Sequence, residues 1–345
     1  MNIKLLFIIP IAGILLLSCD SDNNDSSPEL DVAFSLGVSD AVVDDADEVN
    51  IEIDAVTVII EGQDDVVINS FDGNETVKIN LLDFPGSEQL TIISEDDDVV
   101  IPVGTHSLEL LVVDSGSYVL LIDDPQQYSI KVPSSRLRLG EFDVVLGAAE
   151  TENGPAYTVE FDLDKSLVQR GNDPAKNGFI IKPHGVRIVS SASSGTIAGN
   201  IDMDAFMAAN PGCDSINNMI YLYKGSHVDA ELGMLTDNVD LDDEEYPVDA
   251  PKPSDAAILP FASTPVMMNE DQSYSYEIGF VPNGDSFDGG ENTEEATYTV
   301  AFACGASDQD DAIVYDQLVI ANPDTEIQEV IVVTGETVMA DFPKE

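Results

Sequence analysis

A succession of short alternating runs constrains this chain most. From Phe34 onward apolar residues recur at every second position, as in "VNIEIDAVTVII", "ETVKINLL", "HSLELLVVD", "AYTVEFDL" and "GFIIKPHGVRIV". Residues two apart share one face of a strand, so this period reads as β structure. Between the runs stand "FDGN", "FPGS", "DSGS", "DDPQ", "ENGP" and "GNDP", the residue types that turns require. Spacings of roughly 8–14 residues without a long amphipathic helix predict antiparallel sandwiches. In the first long run Val49, Ile51 and Ile53 hold one register, and Val56, Val58 and Ile60 the other. The slip at Asp54-Ala55 is what a β-bulge leaves in a sequence. Short helical turns are expected at "DKSLV" and at "DMDAFMAA", the latter with Asp202 as N-cap and Pro211 past its end.

The stretch "SSASSG" at 190–195 is small, polar and uncommitted, and reads as a joint. A second β pattern follows it, with "GTIAGNID", "NMIYLYKG", "YSYEIGFVP" and "ATYTVAFACG". The expected fold class is all-β: two antiparallel β-sandwich domains, 32–190 and 191–345, behind a leader (1–18) and a tether (19–31). Residues 229–271, which include "DNVDLDDEEYPVDAPKPSDAA", mix acid with proline and read as a long acidic surface loop.

The leader fixes the compartment. Lys4 precedes an apolar run from Leu5 to Leu17 broken only by Pro10 and Gly13, the anatomy of a secretory signal. The run is short for a bilayer span, which needs ~20 apolar residues. Leu16-Leu17-Ser18-Cys19 resembles a bacterial lipobox, and the hydrophobicity stops at the cysteine. In that family of signals the cysteine is acylated with palmitate and begins the mature chain. An ordinary signal peptide or a short anchor is the alternative. Residues 20–29 then read as a disordered acidic tether. The resemblance implies the cell envelope, with the outer membrane favoured. Asp20 resembles an inner-membrane retention signal, which keeps the inner membrane open.

Sixty-six acidic residues face 13 basic ones, for a net charge of −53. Phosphates need Lys and Arg to neutralise them, so nucleic acid is excluded as a partner. Either the acid serves solubility in a salty exterior or it binds cations, chiefly calcium. Calcium is the one cofactor left open. The first candidate set is Asp240, Asp242, Asp243 and Glu244, and the second is Asp308, Asp310 and Asp311; neither fits the twelve-residue calcium-loop template. Once Cys19 is assigned to lipid, Cys213 and Cys304 remain, and an oxidising compartment suggests that they pair. Two buried free thiols are the alternative.

No catalytic residue is assigned. His106, His184 and His227 form neither HExxH nor HxH, and there is no G-x-S-x-G elbow. His184, after Pro183, is expected at a strand kink. Tyr221, Tyr223, Tyr274, Tyr276 and Tyr298 alternate along strands and read as core or half-exposed sheet residues. Lys165 and Lys182 are rare cations whose structural reading is an internal ion pair with Asp162 or Asp164.

Two resemblances add to this. The pieces "VSDAVVDDADEVNIEIDAV", "INLLD", "IPVGTHSLELLV", "IKVPSS", "VEFDLDKSLV" and "FIIKPHGVRIV" resemble, in order over residues 34–189, the bacterial lipoprotein family called domain of unknown function 4382. That likeness implies a sandwich-like envelope module and no activity. Residues 195–342 are similar in outline to carboxypeptidase regulatory-like, prealbumin-type modules, through "GTIAGNI", "YLYKG" and "YSYEIGFVPNG…ATYTVAFAC"; the acidic insertion departs from that pattern. Such modules imply stability and interaction. The function expected is therefore that of a lipid-anchored envelope protein with a non-catalytic interaction or structural role, partnered by the membrane and by an envelope protein or glycan. A calcium- or glycan-binding surface module is the alternative, and an envelope hydrolase the third reading.

Overall fold

The computed structural model describes residues 30–344 apart from 42, 44, 147–153, 232, 244–245, 284–294, 308 and 311. The fold is all-β and sandwich-like, as the alternating runs require. The long strand Ala46–Ile59 organises the N-terminal half. Its second part pairs with Gly104–Val112, and its first with Tyr118–Leu121. The register against Gly104–Val112 shifts between Ile53 and Ala55, where the sequence changes phase. That bulge lets Val49, Ile51 and Ile53 and then Val56 and Val58 all reach the core.

A second N-terminal sheet runs in the order Val186–Ser190, Tyr157–Asp162, Leu36–Ala41, Leu90–Ile93. One apolar core draws on both sheets, with Phe34, Val38, Ile51, Leu108, Leu110 and Phe161 inside it. Three strand pairs among these mainly antiparallel sheets run parallel. Leu36–Ala41 lies parallel to Tyr157–Asp162, Gln127–Lys131 to Phe179–Ile181, and Ser194–Ile201 to Thr337–Met339. Parallel neighbours need long crossovers, and the intervening chain supplies them in each case.

The C-terminal half holds two four-stranded sheets. Met219–Lys224 is buried on both faces. Ile220 and Leu222 join Ile197, Ile278 and Phe302 in one cluster, while Met219, Tyr221 and Tyr223 join Leu235 and Ile320 in another. Cys213 and Cys304 form a disulfide across 91 residues. Asp202 caps the helix Met203–Ala209 by accepting the Ala205 amide at 2.9 Å.

The acidic segment is less loop-like than its composition suggests. It contains the strands Ala262–Pro265 and Met267–Met268, and Asp237, Asn238, Ser263 and Thr264 are buried. Alternation predicted that Tyr157–Asp162 would bury one face, yet it is buried at every position. Tyr157, Val159 and Phe161 enter the N-terminal core. Thr158, Glu160 and Asp162 lie on the opposite face, along the seam with the C-terminal half.

Candidate functional site: a polar seam between the two halves

The seam is built on that polar face. At its centre Glu160 sits directly across from Arg187 on the neighbouring strand, and the two form an ion pair. Arg187 also lies over the Phe261 ring, 4.7 Å from its centroid, with Lys224 at 4.9 Å from the same centroid. Both are cation–π distances. Burial pushes the Glu160 carboxyl up to about 8, against the pull of Arg187 and with the help of Asp162.

At one end stands Asp162, fully buried. Its Oδ1 accepts the Lys165 amide at 3.2 Å and caps the short helix Leu163–Ser166. Its Oδ2 accepts the Ser263 amide of the C-terminal half at 3.1 Å. Lys165 Nζ donates to the carbonyls of Pro260 (3.0 Å) and Phe261 (3.3 Å). Burial pushes the Asp162 pKa up and the Lys165 pKa down, opposed by the attraction between them. Gly185 has to be glycine here, because a Cβ would lie 2.6 Å from the Ser166 nitrogen.

Lys182 pairs with Asp243 at 2.7 Å. His184, in the 3-10 turn Pro183–Gly185 where the sequence places a kink, has Nδ1 3.3 Å from Asp240 Oδ2. Burial pushes the imidazole pKa down against the pull of Asp240. A groove runs past Lys182, His184, Asp240 and Asp243, and among the described residues no Ser, Thr or Cys lines it. The His–Asp pair therefore has no hydroxyl or thiol nucleophile beside it there, which acyl transfer by a triad would need.

A third contact closes the seam elsewhere. Glu277 Oε1 accepts the Ser87 amide at 2.8 Å and the Ser87 hydroxyl at 2.7 Å. Beside it the backbones of Gly86 and Gly279 pass so closely that a Cβ on Gly279 would stand 2.1 Å from the Gly86 carbonyl oxygen.

The calcium candidates are distributed over these contacts. Asp240 and Asp243 face His184 and Lys182, and Asp240 Oδ1 accepts the Asp242 amide at 3.2 Å. Asp310 is engaged separately. It accepts the Tyr221 hydroxyl at 2.6 Å, the Asn238 side-chain amide at 2.8 Å and the Asn238 backbone amide at 3.1 Å. Burial pushes its carboxyl up to about 8, and that of Asp237 up to about 6. Glu244, Asp308 and Asp311 lie outside the described residues, as do Cys19 and the tether. Among the described residues no group of three or more His, Cys, Asp or Glu side chains is placed to hold a metal ion. Lys165 and Lys182 take internal partners, and one partner of Lys182 is Asp243 on the acidic segment.

Sequence reasoning missed Glu160 and Arg187. The signal available was the cation Arg187 two residues past the "KPHG" turn, and the acid Glu160 in an alternating strand.

Fold and seam thus define an all-β, sandwich-type protein whose two halves meet through a charged, hydrogen-bonded face. Residues 32–183 match the family described as Domain of unknown function (DUF4382), the family that the quoted motifs resemble. The match ends before the C-terminal half, so the likeness of that half to prealbumin-type modules rests on its motifs alone. No curated protein matches the chain. A crystal structure of a candidate adhesin from Bacteroides ovatus aligns over 96% of this chain and 99% of its own, at 8% identity and a TM-score of 0.18; a likeness at that score assigns neither fold nor function. Among the described residues no helix is long and apolar enough to cross a membrane.

Proposed function

We propose that this chain is a lipid-anchored protein of the bacterial cell envelope, favouring the outer membrane, with a non-catalytic interaction or structural role. It consists of two β-sandwich domains that meet near residue 190. Cys19 is the acylation point, and residues 20–29 hold the folded part off the membrane.

One observation carries the non-catalytic reading. The ionisable residues of "VEFDLDKSLV" and "FIIKPHGVRIV" that line the seam engage other groups of the protein: Glu160 with Arg187, Asp162 with Ser263, Lys165 with Pro260 and Phe261, Lys182 with Asp243. The most distinctive motifs of the chain thus join its halves. A hydrolase would instead direct such groups at a substrate, with a nucleophile or metal in reach.

Two experiments test this reading. Metabolic palmitate labelling should mark the native protein and not Cys19→Ala; a labelled variant would remove Cys19 as the attachment point. Capture of the native, membrane-attached protein with its neighbours should return a reproducible envelope partner. Turnover of an envelope polymer by the purified protein would contradict the non-catalytic role.

A further inference from the structure

At the Thr158 end of the seam a cleft of about 380 Å³ opens between both halves and the joint that links them. That size falls within the ~300–1,000 Å³ range of small-ligand sites. We propose that this cleft binds an uncharged saccharide. The proposal rests on the interaction reading above and adds a ligand class to it.

The walls carry the first argument. Ser87, Gln89, Ser191, Ser194, Thr196 and Thr337 line the cleft, and among the described residues no ionisable one does, in a chain with 66 acidic residues. Its hydrogen-bonding groups are all neutral. Outside the cleft, the net charge of −53 repels anionic sugars at long range, and no cation in the lining offsets that. The ligand that fits is neutral and rich in hydroxyls.

The direction of the hydroxyl protons carries the second argument. Thr158, buried behind the cleft, donates its only hydroxyl proton to Gln89 Oε1 at 2.8 Å. Its 2.9 Å bond to Ser191 must therefore run from the Ser191 hydroxyl to Thr158. Ser87 donates to Glu277 at 2.7 Å, and Ser194 to the Ser191 carbonyl at 3.2 Å. With all three serine protons committed, the three oxygens remain as oriented acceptors. The Thr196 and Thr337 hydroxyls can donate or accept. A sugar ring offers several hydroxyl donors, and acceptors already fixed in place lower the cost of ordering on binding.

Strain is the third observation. Phe280 also lines the cleft, with its backbone at φ +47, a region disfavoured for a bulky residue. The pairing of Ser194–Ile201 with Tyr274–Pro282 shifts register between Gly195 and Ile197, opposite this site. Strain of this kind persists where surrounding structure holds it and clusters at ligand-binding sites.

An array of neutral and acidic oligosaccharides, probed with the full mature chain, tests the site. Binding confined to neutral glycans is expected, and the double variant Thr196→Val/Thr337→Val should weaken it about tenfold with an unchanged melting temperature. Ser194→Ala, which deletes one oriented acceptor, should weaken it as well. A blank array, equal binding of acidic glycans, or full binding by all the variants would each overturn the saccharide site. A protein partner captured from native membranes while the array stays blank would overturn the saccharide and leave the interaction reading standing.

Discussion

The carboxylate of Asp162 accepts the backbone amide of Ser263, 101 residues away, at 3.1 Å, while its other oxygen caps the helix that carries Lys165. One buried side chain thus shapes the motif of the N-terminal half and holds the C-terminal half to it. Lys165 completes the arrangement from the other direction, donating to the two carbonyls just before Ser263.

Lys165→Met should therefore be costly. It leaves Asp162 without its nearest cation and strands two carbonyls. Losing a hydrogen bond to a buried charged group typically costs ~1.5–3 kcal/mol. Urea unfolding should show that loss, and adding Asp162→Asn should cost less than the sum of the two single changes. A loss below ~1 kcal/mol, the size for an exposed pair, would mean that this contact does not hold the halves together.

Stability should fall as the solution becomes alkaline. Asp310 and Glu160 have folded-state pKa values of about 8, and Asp237 of about 6, all raised first by burial. A raised acid favours the protonated fold. Its contribution is full below the ordinary carboxyl range and is lost as pH rises through the folded value. The melting temperature should drop between about pH 5 and about pH 9, and Asp310→Asn should flatten that drop. A melting temperature that rises over this range would contradict the burial of these carboxyls.

The disulfide should contribute strongly. Closing a 91-residue loop is worth ~4–5 kcal/mol by loop-closure entropy. Cys213→Ala/Cys304→Ala should lose a comparable amount on chemical unfolding. Two titratable thiols in the unfolded, non-reduced mature chain would rule the bond out.

Gly279→Ala tests the second anchor of the seam. With a Cβ 2.1 Å from the Gly86 oxygen, two backbones must separate, at ~1–3 kcal/mol as for other overpacked sites. The Ser87 amide, bound to Glu277 at 2.8 Å, should then exchange faster with solvent. Unchanged exchange would place the strain elsewhere.

Much of the fold was legible in the sequence, because local physics leaves local marks. The bulge at Ile53/Ala55, the Asp202 cap and the turn at Pro183–Gly185 each follow from residue type and period. The seam was legible only in part. Thr158, Glu160 and Asp162 alternate with apolar residues, and that pattern describes a solvent face as well as it describes a polar interface. Lys165 binds carbonyls, which every residue carries, so nothing at Pro260 or Phe261 marks them as its partners. Asp243 is one acid among 66 and has no feature that singles it out for Lys182. Parallel pairing of Leu36–Ala41 with Tyr157–Asp162 is set by which strands meet after more than a hundred residues, not by either strand alone.

The motif residues lock the two halves into one body. Hydrogen exchange of the full mature chain tests this lock most directly at two backbone amides, Ser263 on Asp162 and Ser87 on Glu277. The expected result is slow exchange at both in the native protein, with Ser263 released in Lys165→Met and the core strand Ala46–Ile59 still protected. Exchange of both amides at the rate of free chain in the native protein would contradict the lock.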